Sequence, residues 1–294
     1  MRKIDLHIHS EFSSDGELAI KDILDLSKKT NMEVIAITDH NSVKGVQKAI
    51  EYGKMIGLQV ISGIEMDCTY KDINLHVLGY FIDPSRKEYE ELENDIFQQE
   101  VKAAVEKINR LTQATDVIVN ADEIFTQAEG KIVTGEMIAE NILHNRNNLD
   151  KKIVRPYLPG GEKSDMPYVH FYWDFFSQGK AAYVPIHYVS FREAVSLIKS
   201  SGGVPVIAHP GNNLREKLEI LDELIQEGLE GIEVFSTYHS IEQTRYFFEK
   251  AVQEDLLITC GSDFHGKNKP NIQIGSYTKI EQDVDVLRGL QKYL

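Results

Sequence analysis

Imidazoles and carboxylates gather at one kind of place in this chain, the polar end of a short apolar run. The first run closes on His7-Ile8-His9, and the strand period of two turns both rings to one face. Others close on Thr38-Asp39-His40-Asn41, Gly63-Ile64-Glu65, Ala208-His209-Pro210-Gly211 and Gly261-Ser262-Asp263-Phe264-His265. His76 and Glu233 lie within runs of their own. Of the ten histidines, six sit inside such runs and His239 follows one closely. Imidazole plus carboxylate, without thiolate, suits zinc, manganese or iron better than calcium or magnesium. Shared carboxylates suit a cluster of two or three divalent ions. Three such ions carry about six positive charges, against three negative charges from Asp15, Glu65 and Asp263. The net of about +3 favours an anion plus a hydroxide, the setting for phosphate-ester hydrolysis by metal-activated hydroxide.

Each residue also has a plainer reading. A lone strand-end histidine is more often a satisfied polar group than a ligand. His7, His9, Glu65, His76, His209, Asp263 and His265, all in strand register, are too many for that account. Asp15 belongs either to the site or to a helix start, because Ser14 and Glu17 have capping-box spacing. Glu233 and His239 are either site residues or supporting and surface ones. Cys68 and Cys260 read as buried spectators. The aromatic block Phe171-Tyr172-Trp173, with Phe175 and Phe176, reads as local core.

These side chains need a scaffold. Seven β-branched, apolar stretches have strand length: 3–9, 34–38, 59–64, 74–80, 204–208, 231–235 and 256–260. Helical spacing falls between most of them, around Leu18–Asn31, Val43–Ile56, Phe191–Ser201, Leu214–Gln226 and Ile241–Gln253. Strand–helix alternation implies parallel crossovers, and seven strands suggest an α/β protein with a distorted (β/α)7 barrel. Catalytic groups of such barrels collect at the C-terminal strand ends. More than 120 residues separate Tyr80 from Val204, far more than one crossover requires. We expect a barrel domain from 1–86 and 185–294, and a mainly helical, lid-like insertion over 87–184, between the fourth and fifth strands.

Composition narrows the function. The 294 residues carry 32 Lys and Arg against 46 Asp and Glu, a formal charge of −14. This opposes tight nonspecific binding to duplex DNA, which draws on many basic contacts. Two cysteines make no disulfide framework, and no apolar run reaches membrane or signal-peptide length. The expected location is cytoplasmic.

Taken in order, DLHIHS with SSDG, TDHN, SGIEMD, NLHVLGY, AHPG, GIEVF and GSDFHG resemble the motifs of the polymerase and histidinol phosphatase (PHP) family of metal-dependent phosphoesterases. The resemblance covers about residues 1–83 and 200–275. It implies the distorted (β/α)7 barrel and up to three metals. One would take His7, His9, Glu65 and Asp263. A second would share Glu65, with His76 and His209. A third would take Asp15, His40 and His265, although some members have histidine where Asp15 stands. His239 matches a position near the active site. The placement of the insertion resembles the nucleoside 3′,5′-bisphosphate phosphatases and 5′-to-3′ exoribonucleases. Their Gly-Arg-Pro-His-like stretch corresponds to Val133-Thr134-Gly135-Glu136-Met137-Ile138-Ala139, which lacks the arginine and histidine.

The expected activity is hydrolysis of a small phosphomonoester, such as a nucleoside 3′,5′-bisphosphate or a short oligonucleotide. His209, His265 and His239 are the candidates for proton handling. Arg155 and Lys180 are the candidates for gripping a second phosphate, because each adjoins apolar sequence that could bury its stem. Rival readings are a histidinol-phosphate phosphatase, a noncatalytic metal-stabilised module, and an amidohydrolase. The last is disfavoured because no strand-end lysine is available as a carbamate bridge.

Overall fold

The computed structural model describes residues 3–215, 217–281, 285–291 and 293. The chain divides into two units. The first comprises Met1–Leu92, Tyr188–His265 and Ile272–Leu294, and the second Glu93–His187 with Gly266–Asn271.

The first unit is built on one barrel-shaped sheet. Its strands are β1 (Ile4–Ile8), β2 (Val34–Ile37), β3 (Gln59–Tyr70), β4 (Ile73–Tyr80), β5 (Val189–Ser190), β6 (Val204–Ile207), β7 (Gly231–Ser236) and β8 (Leu257–Gly261). They pair in the order β1-β2-β3-β4-β6-β7-β8, with the two-residue β5 attached to β3. Every residue of β1, β2, β6 and β7 is buried. That is the pattern of strands covered on both faces. Backbone bonds from His9 N to Phe264 O (2.9 Å) and from Asp263 N to His7 O (2.9 Å) carry the ring from β8 back to β1.

Helices connect the strands. α1 (Ile20–Lys29) buries Ile20, Ile23, Leu24 and Ser27, one stripe at helical spacing. α2 (Val46–Ile56) stops at Gly57, whose φ of +67° is the left-handed conformation that favours glycine. The helix at Phe191–Ser200 starts from a capping box of Ser190 and Glu193, and that at Ile241–Gln253 from one of Ser240 and Gln243.

Two features depart from regular parallel crossovers. β4 runs antiparallel to both β3 and β6. β3 is longer than expected, so only Lys71 and Asp72 separate it from β4, and so short a link can only make a hairpin. The continuation of β3 was hidden by its alternation: Met66 and Cys68 are fully buried, whereas Glu65, Asp67 and Thr69 share the other face.

The second unit is helical. α3 (Lys87–Ala114) begins in the first unit, and α4 (Ala121–Ala128), α5 (Gly135–His144) and α6 (Pro167–Phe175) follow. Leu111, Ile138, Ile142, Phe171 and Phe176 form its core. Asn148, fully buried among them, donates to the carbonyls of Ile118 and Ile142 and accepts from Ile118 N. Its polar groups are therefore satisfied. Arg155 and Lys180 are both exposed residues. No helix among the described residues is long and apolar enough to cross a membrane.

Candidate metal centre

All nine candidate ligands come together. His7 and His9 project inward from the end of β1. His7 Nε2 lies 3.1 Å from His9 Nε2, 3.0 Å from Glu65 Oε2 and 3.3 Å from Asp263 Oδ1. His9 Nε2 is 3.1 Å from each of the same two carboxylate oxygens. Ligands about 2.0–2.1 Å from one ion would lie about 3.3 Å apart in a tetrahedron, so these four atoms could share a cation. The other Glu65 oxygen, Oε1, is 2.9 Å from His76 Nδ1 and 3.2 Å from His209 Nε2. Asp15 Oδ2 lies 3.1 Å from His265 Nε2 and 3.8 Å from His40 Nε2. Glu65 thus links two donor groups, and a third adjoins them.

Strand ends aim these groups through unusual backbone. His209 (φ +24°), Asp263 (φ +58°) and Asn41 (φ +53°) all have positive φ, a cost that functional sites sustain when surrounding contacts enforce it. Gly261 ends β8, where a Cβ would sit 2.1 Å from His7 Cβ and 2.5 Å from Glu233 Oε1. Only glycine leaves room for that pair.

Outward hydrogen bonds set the tautomers. Ser13 donates to Asp15 Oδ1, so its oxygen accepts from His9 Nδ1–H and leaves His9 Nε2 with a lone pair facing the cluster. His265 Nδ1–H donates to the carbonyl of Asp263. His7 Nδ1 pairs with Glu233 Oε1 at 2.9 Å, while Glu233 Oε2 accepts from His209 N. Carboxylates and carbonyls behind a histidine are the usual device for presenting its other nitrogen to a metal. Tyr238 donates to Asp263 Oδ2 in the same manner.

Charge balance tests whether cations fit. Burial opposes the His7 imidazolium, yet Glu65, Glu233 and Asp263 overcome it and hold the ring well above its ordinary value. His40 is likewise driven well up against burial, by Glu65, Asp67 and Asp15. Burial raises Glu65, but His7, His40 and His76 hold it well below the ordinary range. The cluster therefore requires positive charge at its centre. Divalent ions held by the same donor set would supply it. Asp67 and Glu233 also change the charge arithmetic. With Asp15, Glu65 and Asp263 they make five carboxylates, leaving three divalent ions an excess of about +1 rather than +3.

Several outcomes differ from the sequence reading. Asp15 faces His265, and the first helix begins only at Ile20 with no side-chain cap, so no capping box forms at Ser14. His239 is buried, its Nδ1–H donates to Val234 O, and its Nε2 accepts from Gly211 N. The ring thus ties the His209–Gly211 turn to β7, and both of its nitrogens are occupied by backbone groups. Asp67 was missed. It lies two residues beyond Glu65 on the same strand face, and period-two counting could have found it.

Barrel, strand-end donors and shared carboxylate define a metal-dependent phosphoesterase. The PHP domain family matches residues 5–140. A 3′,5′-nucleoside bisphosphate phosphatase of Chromobacterium violaceum is 28% identical over 94% of this chain and 91% of its own. A phosphoribosyl 1,2-cyclic phosphate 1,2-diphosphodiesterase of Eggerthella lenta is 28% identical over 90% of this chain and 94% of its own. A 5′-3′ exoribonuclease of Haemophilus influenzae is 25% identical over 90% of each chain. A Bifidobacterium adolescentis crystal structure, assigned as a metal-dependent phosphoesterase, superposes with a TM-score of 0.76 at 26% identity, covering 98% and 94% of the two chains. Residues 5–140 thus resemble a PHP domain, and the relatives of similar length are phosphoesterases.

Proposed function

We propose that this phosphoesterase hydrolyses small phosphomonoesters, with nucleoside 3′,5′-bisphosphates as the preferred class, and that the nine clustered side chains hold two or three divalent ions. The observation that carries this reading is Glu65, whose two oxygens each face a separate imidazole group. When bound, ions there would polarise phosphoryl oxygens, lower the pKa of water and steady the leaving oxygen. The chain's residues prepare for this. Ser13 and the Asp263 carbonyl keep the outer protons on His9 and His265 Nδ1, so that both Nε2 atoms remain donors. Glu233 ties the His7 ring to the His209 backbone, joining two strand ends. Partial exposure of His76 and Asp15 leaves their side of the cluster open to substrate.

A cyclic phosphodiester is the second reading, supported by the equally similar Eggerthella lenta relative. The test is one panel of substrates, with Mn2+ and with chelator: a nucleoside 3′,5′-bisphosphate, a ribose cyclic phosphate, histidinol phosphate, a short oligoribonucleotide and duplex DNA. Chelator-sensitive release of phosphate, fastest from the bisphosphate, is expected. Faster opening of the cyclic diester would favour the second reading, and no turnover of any ester would favour a noncatalytic module.

A further inference from the structure

Five of the six clustered imidazoles turn one nitrogen inward and have a group behind the other. His7 has Glu233, His9 has Ser13 and His265 has the Asp263 carbonyl. The remaining two, His40 and His76, face the same atom. Asp67 Oδ1 lies 3.3 Å from His40 Nδ1 and 3.2 Å from His76 Nε2. The opposite nitrogens point to the cluster: His40 Nε2 is 3.5 Å from Glu65 Oε2, and His76 Nδ1 is 2.9 Å from Glu65 Oε1. The two rings stand edge to face, with centroids 5.0 Å apart.

Asp67 is itself held. Asn41 Nδ2 donates to Asp67 Oδ2 at 2.6 Å, and Asn41 Oδ1 accepts from Asp67 N at 2.9 Å. The Asn41 backbone is fixed in turn, because its N–H donates to Glu65 O at 2.7 Å. One carboxylate oxygen is thereby occupied by the clamp, and the other is aimed between two rings. His40 Nδ1 is buried without a well-aligned hydrogen bond, and Asp67 Oδ1, 3.3 Å away, is the carboxylate oxygen it faces.

We infer that Asp67, clamped by Asn41, is a positioning residue that orients His40 and His76 together and so couples two of the metal positions. The inference rests on the metal-centre reading above. Its physical basis is that an imidazole presents one nitrogen well only when the other is anchored. A single anchor shared by two rings makes their orientations interdependent. Loss of Asp67 then weakens the position served by His40 and the one served by His76, while the group built on His7, His9 and Asp263 keeps its own anchors.

The experiment is Mn2+ titration by calorimetry of the full chain stripped with chelator, together with the visible spectrum of the Co2+-substituted protein. In Asp67→Ala, two positions should lose about 10–100-fold in affinity and the one built on His7, His9 and Asp263 should not change, as is usual for groups behind metal ligands. Asp67→Asn should also lose affinity, because its amide N–H group would meet that of Asn41. Adding Asn41→Asp restores the complementary pair, and affinity and Co2+ spectrum should return to within about threefold of wild type. Wild-type binding by Asp67→Ala would overturn the inference. So would failure of the Asn41→Asp, Asp67→Asn protein to recover while its metal-free thermal unfolding matches wild type, for then the carboxylate itself is needed as a ligand. If Asp67→Ala does not fold, the swapped pair decides alone. A wild-type chain that binds no Mn2+ would end the metal-centre reading, and this inference with it.

Discussion

The two units bury different things. In the barrel unit, His7, His9, Glu65 and Glu233 are fully buried, and His209, Asp263 and His265 nearly so. In the second unit the interior is aliphatic and aromatic, and ion pairs such as Arg110–Glu106 lie at the surface. Lys107, paired with Glu100, and Lys269 are buried charges that depart from this pattern. Buried charges are costly unless paired, and exchanging such pairs for apolar groups is often stabilising. The barrel interior is thus arranged for cations at the expense of packing. The second unit carries no such constraint and follows the ordinary rules of a hydrophobic core.

The largest effect should come from the barrel. His9→Ala removes a donor from the group it forms with His7, Glu65 and Asp263, and turnover should fall by more than about 100-fold with at least one ion lost per chain. Elemental analysis and phosphate release check this together. Full occupancy and full activity in that variant would break the comparison at its centre.

The opposite behaviour is expected of the second unit. Phe171→Ala, at a fully buried ring, should cost about 3–5 kcal/mol of stability, read by denaturant unfolding. Mn2+ affinity of the folded fraction should stay as in wild type. A matching loss of metal would mean that the units do not divide core from chemistry.

Next in size is the pH dependence of the metal-free barrel. His7 and His40 are held well above their ordinary value, and His9 is raised, each by neighbouring carboxylates that outweigh burial. A raised histidine adds stability that is fully present below about pH 6.5 and is lost as pH climbs through the raised value. Chelated protein should therefore melt at lower temperature as pH rises above neutrality. Mn2+ affinity should climb over the same range, because ions displace protons. Glu65 and Asp15, held low, add a separate loss only in acid. A flat melting temperature for chelated protein across the neutral-to-alkaline range would show that the carboxylates do not protonate the cluster.

Smaller effects sharpen the boundary. Asp15→Asn should weaken one ion about tenfold, and its cost in metal-free stability should come from the lost pairing with His265 rather than from a helix cap, since none depends on it. Arg155→Ala and Lys180→Ala test the proposal that the second unit contributes to substrate binding. If these exposed cations grip a remote phosphate, KM for a bisphosphate should rise by about 2–5-fold with kcat nearly constant. Unchanged kinetics would confine substrate recognition to the barrel unit.

Much of the barrel was legible because its strands are buried on both faces and punctuated by polar ends. The β3–β4 hairpin was not, since Glu65, Asp67 and Thr69 interrupt the apolar run that marks a strand. The short β5 was not either, because two residues carry no period. Arg155 and Lys180 are exposed although each adjoins apolar sequence, because neighbours along the chain need not be neighbours across a core.

The sequence alone determined which donors exist and that they stand at strand ends. That follows from a period of two and from residue chemistry, both local properties. Tertiary structure decided which nitrogen of each ring faces the cluster. That depends on what lies behind the ring: Ser13 and the Asp263 carbonyl stand near His9 and His265 in the sequence, but Glu233 stands 226 residues from His7. It also decided that Asp67 meets both His40 and His76, and that His239 serves a backbone turn. For His7 and His76 the group behind the ring lies on another strand, and only the closed fold brings such contacts together.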